Sequence, residues 1–331
     1  MSATVKILIL RFSSIGDIVL TTPVVRCLKE QLPGAEIHYC TKDGYQSLVE
    51  YNPHVSKRFY LDKTGLGSLV RQLRAERYDY IVDLHNNLRT NLIKLMLGVR
   101  SYSFEKLNWQ KWSLVRLKIN VLPNVHIVDR YLDAIRPLGV DNDGRGLDYF
   151  IPYRDQVEDD WLPESHQRGY VAYAIGGQHE TKKLPLPRMI ELCRKINYPI
   201  VLLGGKEDAE AADIIEQTIG KRLIYNACGK YNINQSASLL QRSRIVFSHD
   251  TGLMHIAAAL KKKVYSIWGN TTPYFGMYPY KTSFLILENN NLNCRPCSKI
   301  GYNRCPLGHF RCMNDLSFDF EIKELKQKKS F

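Results

Sequence analysis

The 331-residue chain has no apolar run near the ~18 residues of a membrane-spanning helix, so it is not expected to span a bilayer. Its first residues, Met1-Ser-Ala-Thr-Val5, lack a basic n-region and a cleavage site, so a secretory signal is not expected and a cytoplasmic location is. No internal repeat and no low-complexity segment appears. No G-x-G-x-x-G follows the first apolar run of either half, which argues against a dinucleotide-dependent dehydrogenase. Acidic residues are scarce relative to basic ones: 33 Asp and Glu face 46 Lys and Arg, a net charge of +13. That excess favours anionic partners, whether nucleic acid, acidic lipid or phosphorylated substrates. The basic residues are dispersed and no helix-turn-helix, zinc-finger or RNA-binding signature is present, so a nucleic-acid-binding module is the weaker reading and nucleic acid is not an expected partner.

What is present is an alternation of short apolar runs with longer helical stretches, the pattern of an α/β protein with parallel sheets. Strands are expected near 5–10, 36–40, 57–61, 79–84 and 99–104, and again near 170–175, 199–203, 222–226, 244–248, 264–268 and 283–287. Helices are expected near 17–31, 44–51, 65–76, 89–97, 108–119 and 125–137, then near 187–197, 207–219, 234–242 and 251–260. Between 139 and 168 the periodicity fails and turn residues accumulate. This predicts a domain over 1–150, a second over 151–315, and a tail helix over 316–331. Two such halves are expected to face a cleft with the C-terminal ends of their strands.

Four places carry candidate chemistry. Arg11-Phe-Ser13-Ser14-Ile-Gly16-Asp17 follows the first strand, and Gly16 permits close approach of a ligand. Asp17 reads either as a helix cap or as a carboxylate able to take a proton from a hydroxyl. In the second half Gly176-Gly177-Gln178 precedes Lys182-Lys183, a combination suited to phosphate oxygens or to a solvated basic turn. Gly204-Gly205-Lys-Glu207 follows another strand, with Glu207 suited to ribose hydroxyls or to a helix start. Ser248-His-Asp250-Thr251-Gly252-Leu-Met-His255 joins a strand to a helix, where backbone N–H groups and the helix dipole favour an anion. Three such strand ends on one sheet edge suit a nucleotide.

The pairing of Arg11-Phe-Ser-Ser-Ile-Gly-Asp17 with Asp250-Thr-Gly-Leu-Met-His255 resembles glycosyltransferase family nine, the bacterial lipopolysaccharide heptosyltransferases. Lys182-Lys-Leu-Pro185, Gly204-Gly-x-Glu207 and Trp268-Gly-x-Thr-x-Pro273 are similar to the same family, and the likeness spans nearly the whole chain. Leu184 stands where many members have Trp, and Gly176-Gly177 replaces hydroxyl residues found in some. The resemblance implies a GT-B fold: two Rossmann-like domains, the first for a lipid-linked acceptor and the second for a nucleotide sugar, ADP-L-glycero-D-manno-heptose in the best-known members. It implies inverting, metal-independent transfer. Asp17 matches the general base and Lys182 the lysine that neutralises the diphosphate. Gly177, Gln178, Glu207, Asp250, Thr251, Gly252 and His255 fall in the donor site, with Tyr231 placed against the base. A UDP-sugar epimerase on the same fold is the enzymatic alternative.

Arg11, Ser13, Ser14, Gly16 and Arg89 are expected on the acceptor side, where phosphates or carboxylates would be held. Residues 104–118 interleave Trp109 and Trp112 with four basic residues. That pattern suits an anionic membrane surface, here the cytoplasmic face of the inner membrane, or an ordinary helix with buried Trp. Cys294, Cys297, Cys305 and Cys312 are spaced C-x2-C-x7-C-x6-C, readable as structural zinc ligands, as reduced packed thiols or as a redox pair. No catalytic metal or other cofactor is expected.

Overall fold

The computed structural model describes residues 5–325. The chain clusters into two compact units, one of residues 1–107 and 125–150, the other of residues 108–124 and 151–331.

In the first unit β1 (Lys6–Leu10), β2 (Glu36–Lys42), β3 (Lys57–Leu61), β4 (Tyr80–Asp83) and β5 (Ser101–Ser103) form a wholly parallel sheet in the order β3-β2-β1-β4-β5. Ile7 to Leu10 are completely buried, as expected of a central parallel strand covered on both faces. The helices α1 (Ile15–Val19), α2 (Thr22–Gln31), α3 (Leu66–Ala75) and α4 (Leu88–Leu97) precede α5 (Asn108–Arg116), which clusters with the second unit. α6 (Ile127–Asp133) returns to the first. The single helix expected over 17–31 is two, because Pro23 lacks an N–H and sits at the start of α2. The helix expected over 44–51 is a 3-10 segment at 43–48. Buried Arg26 ties α2 to the following connection: Nε donates to Asp143 at 2.7 Å, Nη2 to the Gly146 carbonyl at 2.8 Å, and Asp148 pairs with Nη1.

The second unit holds β6 (Val171–Ala174), β7 (Ile200–Leu203), β8 (Ile224–Asn226), β9 (Val246–His249), β10 (Val264–Trp268) and β11 (Phe284–Glu288), all parallel, in the order β11-β10-β9-β6-β7-β8. Its helices are α7 (Glu164–Gln167), α8 (Leu186–Ile196), α9 (Ala209–Ile219), α10 (Ile233–Arg242), α11 (Gly252–Ala259) and α12 (Arg311–Asn314). α8 shows how sequence sets packing: Met189, Leu192, Cys193 and Ile196 recur at helical spacing and all are buried, each large side chain contributing about 1.5–3 kcal/mol.

Both sheets follow doubly wound order, with neighbouring strands β1 and β4, and β6 and β9, marking the points where the winding reverses. The tail departs from expectation. Residues 316–322 form no helix, and only a 3-10 turn, Lys323–Leu325, follows. Leu316, Phe318 and Phe320 are buried while Ser317, Asp319 and Glu321 are exposed, a period of two rather than 3.6. Phe320 lies tilted against both Phe247 and Tyr265, inside the core of the second unit. The rest of the expected tail helix, 326–331, lies outside the described residues.

Candidate active site

In the first unit the chemistry gathers where β1 and β4 end. Asp17 is on α1 and its carboxylate is held from two sides. Oδ1 pairs with Arg11 Nη2 at 2.7 Å, and Oδ2 accepts from the Ser14 amide at 3.1 Å and the Ser14 hydroxyl at 2.7 Å. Its side chain is 21% exposed, so it is fixed and still reachable from solvent. The carboxylate thus closes a capping box with Ser14 while remaining reachable from solvent.

Arg11 is buried and its guanidinium is committed inward. Besides Asp17 it donates to the Ser13 carbonyl at 2.8 Å, the Tyr131 hydroxyl at 3.0 Å and the Leu84 carbonyl. Burial opposes its charge, but Tyr131 and Asp17 outweigh that and raise its pKa. Arg89 is exposed in the first turn of α4. His85, which the sequence reading passed over, follows β4 with its ring edge-on to Phe12 at 5.6 Å. Burial, then the charges of Arg11 and Lys106, push its pKa down to about 4, so the imidazole is neutral at physiological pH. Lys106 is depressed by burial and by Arg11 as well.

In the second unit the ends of β10, β9, β6 and β7, four adjacent strands, carry the remaining groups. Lys182 Nζ meets Asp250 Oδ2 at 2.6 Å, and Thr271 Oγ1 donates to the same oxygen at 3.0 Å. Asp250 and Thr251 lead into α11, whose first turn receives no hydrogen bond from the Thr251 side chain. The leading N–H groups of that helix thus stand beside a lysine, an arrangement that favours anions. Gly177 and Gln178 follow β6, the first half-buried and the second exposed. A Cβ on Gly176 would lie 2.6 Å from the Asp208 carboxylate and 3.3 Å from Gly204 Cα, so only glycine lets these turns close on each other. Glu207 is exposed, whereas Asp208 is buried, accepts from the Gly205 amide at 3.0 Å and lies 3.5 Å from Lys183. Burial raises the Asp208 pKa. Tyr231 is half-buried, hydroxyl to hydroxyl with Tyr225 at 3.1 Å. His255 is buried within α11.

Two positioning residues escaped sequence reasoning. His249 is wholly buried at the end of β9. The Leu184 amide donates to its Nε2 at 3.0 Å, which leaves Nδ1 to donate to the Ile175 carbonyl at 3.1 Å. One imidazole thereby joins the β6 turn, the Lys182–Leu184 loop and the strand that delivers Asp250. Burial pushes its pKa down to about 4. Arg295 pairs with Glu288 at 2.8 Å and donates to the Thr271 carbonyl at 3.0 Å, bracing the threonine that holds Asp250.

The cysteine segment serves the same loops. Thr181 and Tyr302 exchange hydrogen bonds, the Thr181 amide donating to the Tyr302 carbonyl at 3.1 Å and the Tyr302 amide to Thr181 Oγ1 at 2.8 Å. The Cys297 amide donates to the Asn270 carbonyl at 2.9 Å. Burial, then Cys294, push the Cys297 thiol up to about 11, and burial pushes Cys312 up to about 12. All four are free thiols, Cys312 buried and Cys294, Cys297 and Cys305 half-buried. Among the described residues, no group of three or more His, Cys, Asp or Glu is arranged to hold a metal ion.

Two doubly wound parallel sheets, with a carboxylate after β1 in one unit and a cation beside a helix N-terminus in the other, are of the GT-B fold class. The family model for glycosyltransferase family 9 (heptosyltransferase) matches residues 66–306, and the chain belongs to that family. It is therefore a glycosyltransferase, which sets aside the epimerase and nucleic-acid readings. It is 24% identical to lipopolysaccharide heptosyltransferase 3 of Escherichia coli, over 78% of this chain and 81% of the relative. It is also 24% identical to lipooligosaccharide heptosyltransferase 2 of Haemophilus ducreyi, over 97% and 99%. Among solved structures, a family 9 glycosyl transferase from Veillonella parvula superposes with a TM-score of 0.70 at 23% identity, covering 86% of each chain. The ADP-heptose heptosyltransferase II of E. coli gives 0.68 at 20% identity, covering 94% of this chain and 98% of its own. An E. coli heptosyltransferase solved with ADP gives 0.64 at 19% identity, over 85% and 93%.

Proposed function

We propose that the protein transfers a heptose from ADP-heptose to the core region of a lipopolysaccharide, with inversion and without a catalytic metal. The observation that carries this reading is the Lys182–Asp250 pair at 2.6 Å beside the N-terminus of α11, at the strand ends where a nucleotide is expected. The family's relatives are lipopolysaccharide and lipooligosaccharide heptosyltransferases, and one solved neighbour was determined with ADP.

The reaction breaks the bond between the anomeric carbon and the diphosphate, whose oxygens gain negative charge. Lys182 and the α11 amides stabilise that charge. Asp17 accepts the proton of the acceptor hydroxyl as its oxygen attacks the anomeric carbon from the face opposite the leaving group. In this reading Arg11 is a positioning residue: it fixes the Asp17 carboxylate while Ser14 fixes its other oxygen. Gly177, Gln178, Glu207, Tyr231, Thr251, Gly252 and His255 form the donor site. Ser13, Ser14, Gly16 and Arg89, with Arg11 behind them, form the acceptor side.

We place the enzyme in the cytoplasm, at the inner-membrane surface where its lipid-linked acceptor lies. No described helix is long and apolar enough to cross a membrane, and the basic excess suits an anionic surface. Structural zinc at Cys294, Cys297, Cys305 and Cys312 is tested by elemental analysis of the purified chain: one equivalent supports it, and none refutes it, a thiol count then separating packed thiols from a redox pair. The function itself is tested by incubating the protein with ADP-heptose and a lipopolysaccharide core acceptor lacking heptose. Formation of a product one heptose heavier, with stoichiometric ADP, supports the proposal. Equal turnover of UDP- or GDP-sugars, or ADP release that does not depend on acceptor, refutes it.

A further inference from the structure

α4 is apolar on two opposite sides. Thr90 and Ile93 are buried against the first unit, as a surface helix requires. Yet Leu88 is 76% exposed, Leu92 40%, Leu95 78% and Met96 44%. Their spacing of i, i+4, i+7 and i+8 puts all four on one outward arc about 100° wide. Side chains of this size on one ridge are unusual on a surface that faces only water.

The surroundings of the ridge say what covers it. α3 packs beside α4, and Arg74 of α3 donates to the Met96 carbonyl at 2.6 Å. Arg71 and Arg74 are exposed on α3, and Arg89 is exposed on α4. Neither helix contains a single Asp or Glu. Lys94 is the basic residue turned inward, paired with buried Asp83 at 2.9 Å. A second copy of this face would set arginine against arginine, and a nucleic acid would leave the leucines without an apolar partner. An anionic bilayer satisfies both halves: leucine and methionine enter the acyl boundary while guanidinium groups reach lipid phosphates.

We infer that the outer face of α4, flanked by the arginines of α3, is the surface by which the first unit sits on an anionic membrane. This deepens the membrane part of the function proposed above and places the contact on α4 rather than on the Trp109–Trp112 segment. The ridge needs no folding transition, since the helix is already formed and capped, with Asn87 accepting from the Thr90 amide at 3.0 Å.

The test is co-sedimentation of the full chain with vesicles of phosphatidylglycerol and phosphatidylcholine, or of phosphatidylcholine alone. The wild type should partition onto the anionic vesicles and be released by salt. The pair Leu88→Gln/Leu95→Gln should weaken partition about 10²-fold or more, the scale of losing apolar burial at two leucines. The pair Leu92→Gln/Met96→Gln should act in the same direction. Heptosyl transfer to a lipid-free core saccharide should be unchanged in both, which also shows that they fold. Wild-type partition that is absent, or unaltered in both pairs, overturns the inference. So does loss confined to Trp109→Ala/Trp112→Ala, or a wild-type dimer in sedimentation that either α4 pair dissolves. Vesicle binding that persists without any heptosyl transfer would overturn the proposed function and leave the α4 surface standing.

Discussion

Acid should loosen the second unit through His249. In the folded chain its pKa is pushed down to about 4 by complete burial, whereas an unfolded histidine titrates near about 6.5. Between these values the unfolded state binds the proton and the folded state does not, so stability falls as pH falls. The contribution is complete above about pH 6.5, is lost progressively below it, and levels off near about pH 4. Each unit is about 1.4 kcal/mol, so the loss is about 2 kcal/mol at pH 5 and about 3 kcal/mol by pH 4. The structural reason is local: a proton on Nε2 would face the Leu184 amide, donor against donor, where a 3.0 Å hydrogen bond now stands. All four tryptophans lie in the second unit, so tryptophan fluorescence during urea unfolding reports on that unit. His249→Gln keeps a donor and an acceptor but does not titrate. Its stability should fall less than the wild type's by about 2 kcal/mol between pH 7.5 and pH 5. If both proteins lose the same stability over that range, His249 is not the group responsible and the assigned hydrogen bonds are wrong.

Three further outcomes are expected. Asp17→Asn should keep the fold and ADP affinity but lower kcat about 10²-fold or more, the scale of a lost general base; unchanged kcat in a steady-state transfer assay would remove Asp17 from the chemistry. Lys182→Ala should lower kcat/KM for the nucleotide sugar about 10²-fold, and Asp250→Asn on top of it should cost less than it does alone, because the two act as a pair; additive losses in the double-mutant cycle would contradict this. Arg26→Leu should destabilise the first unit by about 1.5–3 kcal/mol, because Asp148 and the Gly146 carbonyl lose their donor while partly exposed Asp143 keeps Arg145; a shift in melting temperature of under a degree would show that the pairs contribute nothing.

Strand positions were legible because buried parallel strands are written as short apolar runs, and the runs at 170–175, 199–203 and 264–268 each stop at a glycine. The strand-end loops were legible for the same reason, since chemistry sits where those runs stop. The tail is not legible from apolar content alone, because Phe318, Phe320 and Ile322 fit a helix by composition and an extended segment by their alternation with polar residues. His249 and Arg295 were hidden by distance along the chain. His249 joins Ile175 to Leu184 from more than sixty residues away, and Arg295 reaches Thr271 from the cysteine-bearing loop. Arg11 illustrates the same limit: a cation next to a strand end suggests a ligand, and only its bonds to Tyr131 and Leu84 reveal an inward commitment.

The lysine at the heart of the second unit is already neutralised before any donor arrives, because Asp250 occupies it at 2.6 Å. In the proposed reading, loading a diphosphate is an exchange of one anion for another, and unloading is the reverse, with the carboxylate reclaiming its partner. Under that proposal the site would set a threshold: chloride or a monoanionic phosphoester would bring too little charge to displace a tethered carboxylate, while a polyanion would succeed. Selectivity for the diphosphate, and ready departure of the spent nucleotide, would both come from that built-in competitor.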